Sequence, residues 1–414
     1  MLPLKLSIYG DFYDCQIYRG RLYLWTFDGQ INTYYWSKII EKFLNKGLNE
    51  LALTYGFLNC RSLYSPDFNF IFKDKDFYHL LIQKFEQLSN QHLFIDERDI
   101  QDCLLGQQDV LNNCLPIDTE IYDSKLYYAI DDGLYRASVH QQTVKPISNR
   151  PVKMWSSRLL SLKSNSFGQL SLSAGSDGLF EYNAYSDNFF PDPSLKQIES
   201  RIVQITDQHS QFSNYSKISI YNSTRVAQSG MAVFEWKKND PEKAVYGRKS
   251  YKRSFAELVP ESSIFKKNGK SNLSWGFGDK IYRETDKGLD IVRFNNYPKE
   301  PEQSRFQFLR TIAIESEMGE IIAGGVAYFG TILEFERGLL VELSNGQRLE
   351  INEPITKWRI YPRAKNFDNQ LHVILEDRID ILSFYHDFFL DQSSKLFGAE
   401  LDLKFLDKEK VSSF

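Results

Sequence analysis

The chain has 414 residues, 42% hydrophobic and 25% charged, with a net charge of −4 at pH 7. That balance excludes wholesale disorder and bulk-charge binding of polyanions, and no run of about 18 apolar residues is present to span a membrane. The length exceeds one ordinary core, so two units or a repeat array is expected, and 15% aromatic residues favour half-buried strands.

The first ten residues, Met1 to Gly10, lack a long apolar core and a small-residue cleavage site, so a secretory signal is not expected. Gln16–Trp25 alternates apolar and polar residues around a small polar turn, as does Thr119–Ile130, and each reads as a hairpin. After each comes a short phrase, a turn followed by an alternating strand. It recurs seven times, beginning at Gly29, Gly133, Gly178, Ala232, Gly288, Gly338 and Arg378. Gly178-Leu-Phe-Glu-Tyr182 and Ala232-Val-Phe-Glu-Trp236 match closely, as do Leu289-Asp-Ile291 and Ile379-Asp-Ile381. Pro151-Val-Lys-Met-Trp155 and Pro354-Ile-Thr-Lys-Trp358 also echo each other and read as one position in two repeats.

The stretch 36–114 differs. Ile40, Phe43, Leu44, Leu48 and Leu51 follow helical spacing, as do Phe77, Leu80, Leu81, Phe85 and Leu88, with Asp76 and Asp96 as N-caps. A third helix is predicted across Ile100, Leu104 and Leu105. The segment is expected to be a helix-rich insertion near the junction of the first two repeats. Its apolar stripes either pack internally or offer a docking face.

The last five intervals between phrases lie near the ~40–50 residues of a β-propeller blade. A four-stranded sheet buries too little alone, and radial closure covers both faces of each blade while leaving short edges. On these grounds the chain resembles the β-propeller superfamily, as a divergent seven-bladed, WD40-like disc. No tryptophan is followed by Asp and no Gly-His pair occurs, so no subfamily is assigned. The expected fold is all-β with a helical insertion: first blade strands in 1–35, the insertion in 36–114, the other blades in 115–390, and a closing strand or tail in 391–414. Either Leu4–Ile8 or Glu400–Phe405 completes the last blade. The resemblance implies a platform for other macromolecules.

The strongest local signal for function is a basic, aromatic-interleaved stretch from Lys237 to Lys270. It holds ten positive and four acidic residues, +6, while the rest of the chain carries −10. Lys237, Lys238, Arg248, Lys249, Tyr251, Lys252, Arg253, Lys266 and Lys267 are the candidate contact residues, either for an acidic protein surface or for nucleic acid. The plainer alternative is a polar inter-blade loop. Asn268-Gly-Lys-Ser271 imitates the end of a phosphate-binding loop, but Ile264 stands where its first glycine belongs. Ser176-Asp-Gly-Leu-Phe180 resembles a single Asp-box, a folding turn.

No metal, cofactor or catalytic residue is expected. The six histidines are scattered singly, no Gly-x-Ser-x-Gly elbow occurs, and Cys15, Cys60, Cys103 and Cys114 form no C-x-x-C pair. The expectation is a non-catalytic scaffold or adaptor within a cytoplasmic assembly. A nucleic-acid-binding subunit is the alternative, and an enzyme or small-molecule sensor with a central-channel pocket is the third reading.

Overall fold

The computed structural model describes residues 2–44, 50–60, 74–108, 114–139, 151–184, 202–238, 251–265, 273–295, 304–343, 346–364 and 366–385. They form a seven-bladed β-propeller. The chain divides into two compact units, one drawn from Met1–Leu115 and Met318–Phe414, the other from Pro116–Gln141 and Asn149–Glu317.

The second unit holds four blades, each a four-stranded antiparallel meander. Blade 2 comprises Asp118–Tyr122, Lys125–Ile130, Gly133–Ser138 and Val152–Trp155. Blade 3 comprises Ser161–Ser164, Gln169–Ser173, Leu179–Asn183 and Ile202–Thr206. Blade 4 comprises Phe212–Ser216, Ser219–Ser223, Gly230–Lys238 and Tyr251–Pro260. Blade 5 comprises Ser274–Phe277, Lys280–Thr285, Gly288–Phe294 and Phe306–Ile312.

The first unit holds three. Blade 1 comprises Asp14–Tyr18, Arg21–Trp25, Ile31–Tyr35 and Leu104–Gln108. Blade 6 comprises Ile321–Ala327, Gly330–Phe335, Gly338–Leu343 and Arg348–Ile351. Blade 7 takes Lys357–Ile360, Gln370–Ile374 and Arg378–Ser383 from one end of the chain and Leu4–Tyr9 from the other. Leu4–Tyr9 lies antiparallel to Arg378–Ser383, Leu6 opposite Ile381, and buries Leu4, Leu6 and Ile8 completely. Of the two strands expected to complete the last blade, the N-terminal one does so; Glu400–Phe405 and the rest of 391–414 lie outside the described residues.

Every recurring phrase falls on the third strand of a blade. That strand has a neighbour on each side, and in Gly338–Leu343 it is buried throughout. The leading glycine has a steric origin in several copies. At Gly178 (φ +104°) and Gly288 (φ +115°) a Cβ would run into the carbonyl oxygen of Thr206 or Ile312 on the fourth strand. Only glycine allows both that backbone and that approach.

Four expectations are corrected. The Pro151 and Pro354 echoes do not share a position: Val152–Trp155 is the fourth strand of blade 2 and Lys357–Ile360 the first strand of blade 7. Proline suits a strand entry anywhere, since the missing N–H is not needed there. The predicted third helix stops early. Glu97–Cys103 is a 3₁₀ helix capped by Asp96, and Leu104–Gln108 becomes the fourth strand of blade 1, pairing with Ile31–Tyr34. The helix Lys75–Ser89 is capped by Asp74, which accepts from Phe77 N, with Asp76 inside the first turn.

The helical segment also packs elsewhere than expected, against blade 7. Trp36 Nε1, at the start of helix Trp36–Leu44, donates to Phe57 O of the π-helical turn Thr54–Leu58 at 2.7 Å. Blade 7 supplies further donors: Ser383 Oγ (2.6 Å) and Asn369 Nδ2 (3.2 Å) to Gly56 O, and Gln370 Nε2 (3.1 Å) to Phe57 O. Phe43 and Phe85 are buried, and the Phe85 ring meets Tyr385 at a tilt, centroids 4.6 Å apart. A fifth strand, Leu93–Asp96, then joins blade 7 parallel to Leu4–Tyr9.

Candidate functional site

At Lys237, Lys238 and Tyr251–Pro260, among its described residues, the basic stretch lies on a β-ribbon. Gly230–Lys238 and Tyr251–Pro260, of nine and ten residues, pair from Gly230↔Pro260 to Lys238↔Tyr251. The second strand of blade 4 follows this ladder only along Gly230–Ala232. Among the described residues, from Val233 onward the two strands pair only with each other. A bulge between Val233 and Phe234 marks the departure point, where bulges bend and twist a ladder.

A lone two-stranded ribbon is marginal in water, so its root has to be fastened. Arg253 does this. Its side chain is 6% exposed and ion-paired to Glu181 of blade 3. Its Nε donates to Ile218 O at 2.8 Å, and the guanidinium lies 3.3 Å from the Phe234 ring centroid. Tyr215 Oη donates to the same Glu181 at 2.8 Å. Phe234 and Phe255 meet edge to face at 5.8 Å.

The expected contact residues therefore separate. Arg253 is engaged inside the root. Lys237, Lys238, Tyr251 and Lys252 are placed by backbone on the ribbon, with Lys237 opposite Lys252. Arg248, Lys249, Lys266 and Lys267 lie outside the described residues, as does Asn268–Ser271. The ribbon ends in the short helix Glu261–Ile264, whose Glu261 carboxylate accepts from Ser274 Oγ at 2.6 Å.

Two side-chain sets resemble catalytic groups and were invisible in the sequence, because their members lie 357 and 373 residues apart. Cys15 Sγ stands 3.6 Å from His372 Nδ1, which is 3.2 Å from Tyr361 Oη. All three are fully or nearly buried. Burial, with the Asp14 charge second, pushes the Cys15 thiol up to about 12, and burial drives His372 down to about 3. A nucleophilic cysteine needs the opposite shift. Beside it the wholly buried Asp14 carboxylate is held by Arg359, at 2.5 and 2.8 Å, and by Lys357 at 3.3 Å.

The second set runs in the wrong order for acyl transfer. Ser7 Oγ donates to Asp380 at 2.6 Å and, its proton so placed, accepts from His92 Nε2 at 2.9 Å. In a hydrolytic triad the imidazole stands between acid and serine. Both sets tie strands together.

Along the helical segment a shallow cleft of about 490 Å³ is lined by Glu50, Leu51, Thr54, Tyr55, Leu80 and Lys84. Among the described residues no group of three or more His, Cys, Asp or Glu side chains is placed to hold a metal ion, and no helix is long and apolar enough to cross a membrane.

No family model and no curated protein matches the chain. Solved structures that it resembles include the β-propeller domain of Myceliophteria thermophila Cps50 (Swd1), at 7% identity and a TM-score of 0.49, covering 92% of this chain and 98% of that one. Others are the WD40 β-propeller domain of Doa1 (10%, TM-score 0.44, 94% of each chain) and BBS1N in complex with ARL6DN (8%, TM-score 0.46, 93% and 97%). Likenesses this distant carry no functional weight, and the fold rests on the seven sheets described above.

Proposed function

We propose that the protein is a non-catalytic interaction platform in a larger cytoplasmic assembly, and that it docks an acidic protein surface through the blade 4 ribbon. The observation that carries this reading is the ribbon itself, which continues past its blade within the most basic segment of a net acidic chain. The register sets Lys237 against Lys252, and like charges directly opposed weaken a ladder. An anionic surface laid on the ribbon relieves that repulsion. Lys237, Lys238, Arg248, Lys249, Tyr251, Lys252, Lys266 and Lys267 are the proposed contacts, with Arg253 as the anchor that holds their base.

The test is quantitative co-purification from the native host of wild-type chain and of a Lys237→Glu, Lys238→Glu, Arg248→Glu, Lys249→Glu variant. The expected result is one stoichiometric acidic protein, lost with the variant. Equal recovery by both removes the ribbon from the interface. Recovery of nucleic acid whose binding falls steeply with salt transfers the site to the other ligand class.

A further inference from the structure

The ribbon root does not end at blade 4. Arg253 donates to Ile218 O in the turn between the first two strands of that blade. Ser216 Oγ, at the end of the strand that enters this turn, donates to Gly278 O in the equivalent turn of blade 5. Asp279 O there accepts from Phe294 N at 2.6 Å, and the Asp279 carboxylate pairs with Arg293 at 3.4 Å. A continuous bonded path thus leads from the ribbon across two neighbouring turns.

Cations line that path. Lys217 is exposed at the apex of the blade 4 turn, in left-handed backbone (φ +55°). Lys280 follows the blade 5 turn and is opposite Arg293 in the ladder, while Arg310 is opposite Ile291 one step in. Burial lowers the Lys280 pKa from its ordinary value; the Asp279 charge opposes this, and the smaller effects of the Arg293 and Arg310 charges add to it. Its acidic neighbour Asp279 is already shared with Arg293. Like charges held together across a ladder oppose pairing, so the arrangement has a cost that an anion removes.

We propose that Lys217, Lys280 and Arg293 form a second cationic half-site, continuous with the ribbon, and that a single acidic segment of a protein partner lies across both. This rests on the function proposed above and deepens it. A peptide suits this half-site better than nucleic acid: the stacked pair of the same blade, Trp275 and Tyr282 at 5.7 Å, is buried and not presented for a base to stack on, and Phe277, opposite Lys280 in the ladder, is half-buried.

The test uses a fluorescein-labelled oligoglutamate peptide and a labelled oligothymidine, with binding to the full chain followed by anisotropy at two salt concentrations. Three variants are compared: Lys237→Glu with Lys252→Glu on the ribbon, Lys280→Gln with Arg293→Gln on blade 5, and Lys217→Asn. The last keeps a residue suited to left-handed backbone, so folding is not at stake. The oligoglutamate should bind the wild type, weaken about fivefold with each double variant, and weaken measurably with Lys217→Asn. If only the ribbon variant weakens binding, the half-site is overturned and the ribbon stands. If oligothymidine binds more tightly than oligoglutamate, the choice of a protein partner is overturned. If the wild type binds neither probe, both this inference and the reading beneath it fail.

Discussion

Removing the apolar face of Leu4–Tyr9 should unfold blade 7. Leu4, Leu6 and Ile8 are each fully buried, between Arg378–Ser383 on one side and the helical segment on the other, where Leu4 meets Gly56. Truncating one such side chain costs about 2–5 kcal/mol. Three together, at roughly 6–15 kcal/mol, rival the whole stability of a typical protein, about 5–15 kcal/mol. Leu6→Ala alone should lower the urea midpoint clearly while leaving the native spectrum intact. The triple alanine variant should lose cooperative unfolding by far-UV circular dichroism, and a synthetic peptide of residues 2–12 should restore part of the transition to a chain lacking them. A triple variant that melts like the wild type would refute the clasp and the packing reasoning behind it.

Four further outcomes are expected. His372 titrates near 3 folded against 6.5 unfolded, so the unfolded chain takes the proton; stability is whole above pH 6.5 and is lost as pH falls toward 3. The loss runs up to about 1.4 kcal/mol per pH unit, and His372→Gln should flatten urea midpoints measured between pH 6.5 and 5. In native protein, iodoacetamide should label the exposed Cys114 long before the buried Cys15, whose thiol ionises only near 12; equal labelling rates by mass spectrometry would contradict that burial. Gly178→Ala combines a disfavoured backbone with a clash against Thr206 O, so a loss of about 1–3 kcal/mol should appear in thermal melts. Arg253→Leu strands a nearly buried Glu181 carboxylate, costs about 3–5 kcal/mol and should open the ribbon root to limited proteolysis.

The third strands were legible because their surroundings leave a mark in sequence. Covered on both sides, they need continuous apolar or β-branched residues, and the approach of the fourth strand demands glycine at the entry. The fourth strands leave no such mark. Val152–Trp155 pairs on one side only and has two exposed residues in four, too few for a period to show. Leu93–Asp96 was hidden for another reason: its parallel partner Leu4–Tyr9 lies far away in sequence, and a four-residue strand between two helical stretches takes on their reading. Of the ribbon, the first strand is legible as the phrase Ala232–Trp236, while the second is masked by charge in its composition, although Tyr251 and Phe255 are strand formers. Its anchor Arg253 looked like any other cation until Glu181 and Ile218, from distant positions in the chain, were brought beside it.

The pairing of Ser7 with Asp380, 373 residues away, bears on synthesis. At 5–20 residues per second a ribosome needs ~20–75 s to deliver the second after the first. Through most of that interval an oily β-segment can pair only with Leu93–Asp96 on one edge, its other edge open to capture by itself or by neighbouring polysomes. Moving the termini to a tip between blades, by circular permutation, would let blade 7 form as it emerges, and the recoverable yield from a crowded translation system should rise.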